Sequence, residues 1–161
     1  MKNSYKNVLV AVPPPSHEWY KNSVDVLRKA ASMISLVPDA RITFISIVSV
    51  IDMVGRSVNM VEPDLRRDLS KELREERKKD VEGYIRWFTD NGVSCSIRIE
   101  QGDGTVDTLL KVVREMKPDL LLLGFHHKEG IFDLFMPDIA KKVARHAPCD
   151  VMLVAPANLE G

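Results

Sequence analysis

Five short apolar runs alternate along this chain with four longer segments of helical period. The runs are Val8–Val12, Ile42–Val50, Val93–Ile99, Leu120–Gly124 and Val151–Ala155. The leucines at 120–123 show no polar alternation, the pattern of a strand covered on both faces. The first helical segment carries Tyr20, Val24, Leu27, Ala31 and Ile34 in steps of three and four, and stops before Pro38. The third carries Val106, Leu109, Leu110 and Val113, with Thr105 as N-cap and Pro118 closing it. The fourth carries Ile139, Val143 and Ala147 and ends at Pro148, with Asp138 beside Pro137 as its helix-start residue. Strict alternation of strand and helix predicts right-handed βαβ crossovers, hence an α/β fold with an open parallel sheet between helices.

The second helical segment, residues 65 to 90, places apolar side chains at Leu65, Leu69, Leu73, Val81, Ile85 and Phe88, then stops at Asn91-Gly92. Steps of four drift by about 40° each on a helix, so Leu65 and Phe88 cannot share one narrow face. The C-terminal half is expected to cover the sheet, and the charged N-terminal half, Arg66 to Asp80, to project from it. The plain role of that half is a solvated face with pairs such as Glu75–Lys79. Its other role is a protein-partner surface shared with the preceding loop, so that 51–80 becomes the candidate contact region. That loop, Ile51 to Asp64, holds Met53, Val58 and Met60 without a clear period, and a connection of this length is functional or mobile.

Composition narrows the function classes. A chain of 161 residues suits one domain, 1–161, burying roughly 70% of the surface it exposes when unfolded. The 23 Lys and Arg balance 23 Asp and Glu, so the footprint of a general nucleic-acid binder is missing. Cys95 and Cys149 are too few for a disulfide scaffold and sit in strand-like contexts, which suits buried thiols in a reducing compartment. Lys2 and Lys6 precede the first apolar run, but Pro13-Pro14-Pro15 ends it short of a signal peptide, and no run approaches the ~20 apolar residues of a membrane span. A soluble cytoplasmic protein without membrane insertion is expected.

Ligands of open α/β sheets bind beyond the carboxyl ends of the strands, where the strand order reverses. The loops there follow strand one (Pro13 to His17), strand two (Ser49 onward) and strand four (Phe125 to Pro137). The last leads into a helix whose N-terminus could attract an anion. His126, His127 and Lys128 in that loop fit either a polar surface or a small-anion site. Adjacent histidines do not normally chelate one ion together, so no metal site is assigned. Hydrolase elbows, NTPase phosphate loops and dinucleotide fingerprints are absent, and no catalytic residue is assigned.

The segments NVLVAVP from residue 7, EQGDGTVDTLL at 100–110, KPDLLLLG at 117–124 and KKVARHAPCDVMLV at 141–154 together resemble the universal stress protein family. The resemblance spans nearly the whole chain. It implies a Rossmann-like five-stranded parallel sheet of order 3-2-1-4-5, a homodimer, and a stress-related regulatory role without catalysis. Members that bind ATP share an Asp closing strand one and the loop pattern G-x-x-G, nine residues, G-[ST]. Here the Asp position is Pro13, Gly124 is kept, the second glycine position is His127, and the final pair is Pro137-Asp138. Bulk at those glycines blocks the approach of backbone N–H groups to phosphate, and Pro137 removes a donor outright. Asp138 puts a carboxylate where a hydroxyl would meet the terminal phosphate. The expectation is no cofactor in the usual ATP mode. The alternative is a nucleotide-binding member that takes ATP or AMP with Mg through an altered loop of Gly124, His126, His127, Lys128 and Asp138. The implied strand order also makes Val151, Met152, Leu153 and Val154 an apolar edge strand, which is expected to pair antiparallel with its copy in a dimer.

Overall fold

The computed structural model describes residues 5–12, 20–37, 39–49, 60–124 and 138–154. In chain order these form β1 (Asn7–Ala11), α1 (Tyr20–Ser35), β2 (Arg41–Val48), α2 (Pro63–Asp90), β3 (Cys95–Gln101), α3 (Thr105–Met116), β4 (Leu120–Gly124), α4 (Asp138–His146) and β5 (Asp150–Val154). The strands build one parallel sheet of order β3-β2-β1-β4-β5. Successive side chains of a strand point to opposite faces, and this splits the core in two. Val8, Val10, Ile42, Phe44, Leu120 and Leu122 face α1 and α2. Leu9, Ile45, Leu121 and Leu123 face α3 and α4. The chain runs outward from β1 to β3, then crosses back to β4 and β5, and right-handed crossovers place the two helix pairs on opposite faces.

On the first face Leu27, Ala31 and Ile34 of α1 are buried, in the phase their spacing predicts. Val81, Tyr84, Ile85 and Phe88 anchor the C-terminal half of α2 around Phe44. The Phe44 ring meets Tyr84 edge-on at 5.7 Å and Phe88 at 5.2 Å, and the Arg28 guanidinium lies 4.9 Å from the Tyr84 ring centroid. The stop at Asn91-Gly92 is a Schellman turn. Gly92 adopts φ 71°, its N–H reaches the Thr89 carbonyl at 3.1 Å, and the Val93 N–H reaches the Phe88 carbonyl at 2.9 Å. Val93 is thereby spent on the helix end, and β3 starts two residues later than its apolar run.

Three local expectations are corrected. Thr105 is the first helical residue of α3 and not its N-cap; extended Gly104 takes that place, with its carbonyl accepting from the Thr108 N–H at 3.0 Å. The helix α3 does end where expected, at Met116, with Lys117 left-handed at φ 48° and Pro118 directly after it. In α4 the buried residues are Ala140 and Val143, whereas Ile139 is 49% exposed. The small Ala140 lets this short helix lie close on the sheet, which turns its apolar face by one residue. On α2 an i,i+4 pair forms between Lys78 and Glu82 at 4.0 Å, in place of Glu75 and Lys79.

The turn from β3 into α3 is tight at Gly102. Its N–H is bonded to the Val48 carbonyl at 3.1 Å, and a Cβ there would lie 1.9 Å from Thr108 Oγ1 and within 3.1 Å of Thr108 Cβ and Cγ2. Because all three atoms of a branched side chain are close, rotation of Thr108 gives no relief. Gly102→Ala is expected to lower the unfolding free energy by about 1–3 kcal/mol. The denaturant midpoint would fall at unchanged slope. Thr108→Ala in the same chain should recover part of the loss, and an unshifted midpoint for the single variant would contradict the packing described.

Candidate functional site

The crossovers diverge beyond the carboxyl ends of β1 and β4. The end of β1 is pinned by the Val12 N–H, which donates to the Ile45 carbonyl at 2.8 Å, and Val12 itself is buried. The pairing of Val10 with Leu122, extended along both strands, brings Val12 level with Gly124. Gly124 also pairs with Val154 of β5 on its other side. The end of β2 adds Ser46, which is 1% exposed, and Ser49; both hydroxyls are buried without a hydrogen-bond partner. Leaving such a hydroxyl unpaired costs about 1–3 kcal/mol.

Of the predicted site residues, Gly124 ends β4 and Asp138 opens α4. His126, His127 and Lys128 lie outside the described residues, as do Pro13, His17 and Pro137. Ser46 was not singled out by sequence reasoning. Its signal was a hydroxyl in the register of the buried Ile42, Phe44 and Val48, which composition alone does not distinguish from a tolerated small residue.

The titratable groups with displaced pKa values lie away from this edge. Burial pushes the Cys95 thiol up, and burial together with Asp150 and Asp119 does the same for Cys149; both stand where strands begin. Tyr5 is raised by its hydrogen bond to Asp150 Oδ2 at 3.0 Å, also at the amino edge. Arg98 is raised by its bond to Glu100, with Glu115 adding to it. No displaced acid, base or nucleophile faces the carboxyl edge among the described residues, and no three His, Cys, Asp or Glu there cluster closely enough to hold a metal. None of the described helices is long and apolar enough to cross a membrane.

The strand β5 closes one side of the sheet. It is paired with β4, and Met152 is 41% exposed while Val151, Leu153 and Val154 are half-buried.

Comparison with known proteins gives a consistent result. The model of the universal stress protein family matches residues 4–155. A Staphylococcus epidermidis protein carrying that family's name is 32% identical over 155 residues, 94% of this chain and 84% of its own. A Staphylococcus aureus protein of the same name is 30% identical over 160 residues, 97% of this chain and 87% of its own. Among solved structures, the protein MJ0577 superposes with a TM-score of 0.69 at 18% identity, over 96% of this chain and 98% of that one. A universal stress protein family protein from Arabidopsis thaliana, solved with AMP bound, gives 0.57 at 19% identity over 93% and 92%. A universal stress protein in complex with cAMP gives 0.53 at 17% over 96% and 99%. At these identities the solved structures speak for the fold, and the family match and the two relatives speak for descent: this chain belongs to the universal stress protein family.

Proposed function

We propose that this protein is a non-catalytic regulatory or interaction member of its family, cytoplasmic and dimeric, whose cleft does not take ATP in the family's usual mode. The observation that carries the reading is the start of α4. The helix opens at Asp138 directly after Pro137, at the place the family resemblance gives to a Gly-Ser pair. A carboxylate in the first turn already supplies the negative charge that a helix N-terminus favours, and it repels a phosphate brought to the same place. Pro13 and His127 remove two more of the features that the resemblance implies for ATP binding. Free thiols at Cys95 and Cys149 support a reducing compartment.

A second reading is favoured by Gly124 and the two unpaired serine hydroxyls: a smaller nucleotide such as AMP, with or without Mg, in the same cleft. The solved relatives holding AMP and cAMP make that ligand class the one to compare with ATP. Thermal melting separates the readings. A site of about 10 μM would add roughly 2.7 kcal/mol at a hundredfold excess of ligand, a shift of several degrees. No shift with Mg-ATP is expected. A shift of that size would contradict the main reading, and a shift with AMP alone would establish the second. The combined variant Pro13→Asp, His127→Gly, Pro137→Gly and Asp138→Ser should gain a shift with Mg-ATP.

The dimer is proposed to form by antiparallel pairing of two β5 strands through Val151 to Val154. An uncharged, half-apolar edge needs a cover or a partner to remain soluble. Light scattering at micromolar concentration should give twice the chain mass, and Leu153→Glu should return it to one. A soluble monomer, or a dimer indifferent to Leu153→Glu, would contradict the pairing.

A further inference from the structure

The opposite edge of the sheet carries a different surface. In parallel pairing, the Ile42 N–H takes the Ser94 carbonyl and the Gly102 N–H takes the Val48 carbonyl. The even-numbered residues of β3 therefore turn their backbone groups toward β2. Cys95, Ile97, Ile99 and Gln101 turn theirs to the free edge. The helix α2 runs antiparallel beside this strand and overhangs it. Gln101 Nε2 donates to Ser70 Oγ at 3.0 Å, and Arg74 Nη2 donates to the Ile99 carbonyl at 3.3 Å, one helical turn and two strand residues further along. Between helix and strand lies an open groove of about 540 Å³, with Ile97 and Ile99 as its floor.

The groove's helical wall is cationic along its length. Arg67, Lys71, Arg74 and Lys78 follow one another at steps of four, three and four, and among the described residues Glu75 is the one carboxylate that lines it. Arg67 is held by Asp64 at 2.6 Å, and both are largely exposed. Lys71 makes no ion pair among the described residues, and Lys78 reaches Glu82 only at 4.0 Å. One turn of helix advances 5.4 Å and two residues of strand advance about 6.6 Å. Cations on successive turns of α2 therefore stand above alternate positions of any strand laid along β3. The stretch from Arg67 to Lys78 covers about 16 Å, the length of roughly five extended residues.

We infer that this groove binds an extended acidic peptide, which adds to the free edge of β3 as a sixth strand and places its acidic side chains, at i, i+2 and i+4, beneath Lys71, Arg74 and Lys78. The chemistry follows from groups already in place. The N–H and C=O groups of Cys95, Ile97 and Gln101, which bond to no backbone group among the described residues, pair with the incoming backbone. Arg74 exchanges a neutral carbonyl for a carboxylate, a stronger, charge-assisted partner, and so releases the Ile99 carbonyl to the new strand. Apolar side chains at the intervening positions turn to the other face. The zero net charge of the chain and the acids sharing α2, from Asp64 through Glu82, disfavour a long polyanion such as a nucleic acid.

Fluorescence anisotropy with the intact protein tests this. The probe is a labelled hexapeptide alternating Glu and Val, compared with a block peptide of three Glu then three Val, an alternating peptide N-methylated on the amides that face β3, and an oligothymidylate of equal charge. The alternating peptide should bind, the block peptide about fivefold or more weakly, and the N-methylated one about tenfold or more weakly. Lys71→Glu with Lys78→Glu, both exposed positions, should weaken the alternating peptide by about tenfold or more at an unchanged melting temperature. Arg74→Ala provides a second variant that keeps the helix. Equal binding of the alternating and block peptides, tighter binding of the oligothymidylate, indifference to the double substitution or to N-methylation, or no peptide binding at millimolar concentration would each overturn the inference.

Discussion

The fold depends on the burial of β1 between β2 and β4. Residues 8 to 10 of that strand are paired on both sides, and Val8, Leu9 and Val10 are at most 2% exposed. Leu9 meets α3 and α4 while its neighbours meet α1 and α2, so one short strand joins both halves of the core. Each such side chain contributes about 1.5–3 kcal/mol by burial. An exposed ion pair such as Asp64–Arg67 contributes about 0–1 kcal/mol. Stability is therefore set by the strands and the helix faces against them. The connections after β1 and β4 lead to helices on opposite faces of the sheet, α1 on one and α4 on the other.

Much of this architecture was legible in the chain. The uninterrupted leucines at 120–123 mark a doubly covered strand, and all four are buried. The change of phase along residues 65–90 marks a helix whose C-terminal half covers the sheet, and Val81, Tyr84, Ile85 and Phe88 are buried there. The N-terminal half, expected to project, instead runs along the β3 edge, with Ser70 buried and bonded to Gln101 and Arg74 bonded to the Ile99 carbonyl. What pattern reading missed are details decided by close contact. Thr105 has the chemistry of an N-cap, but the extended Gly104 sits in the tight turn where the cap geometry falls. Ile139 fits a helical stripe as well as Ala140 does, and only the distance to the sheet selects the smaller residue. For the site, Gly124 and Asp138 fall on the strand end and helix start that sequence spacing assigned them. Ser46 went unnoticed because a buried hydroxyl becomes informative only when its lack of partners is visible.

The two edges of the sheet are treated differently by the same sequence. At β5 an apolar row stands half-exposed, the kind of edge that a second identical chain can cover. At β3 one face carries the Arg98 ion pairs to Glu100 and Glu115, and the other lies under a cationic ridge whose Arg74 already holds an edge carbonyl. A charged edge resists chance pairing and selects by charge.

Whether ATP occupies the protein as it is made by cells is the central question. Protein purified rapidly without added nucleotide, denatured by heat and analysed by mass spectrometry of the released small molecules, reports that occupancy. No adenosine triphosphate in stoichiometric amount is expected. About one ATP released per chain would contradict it.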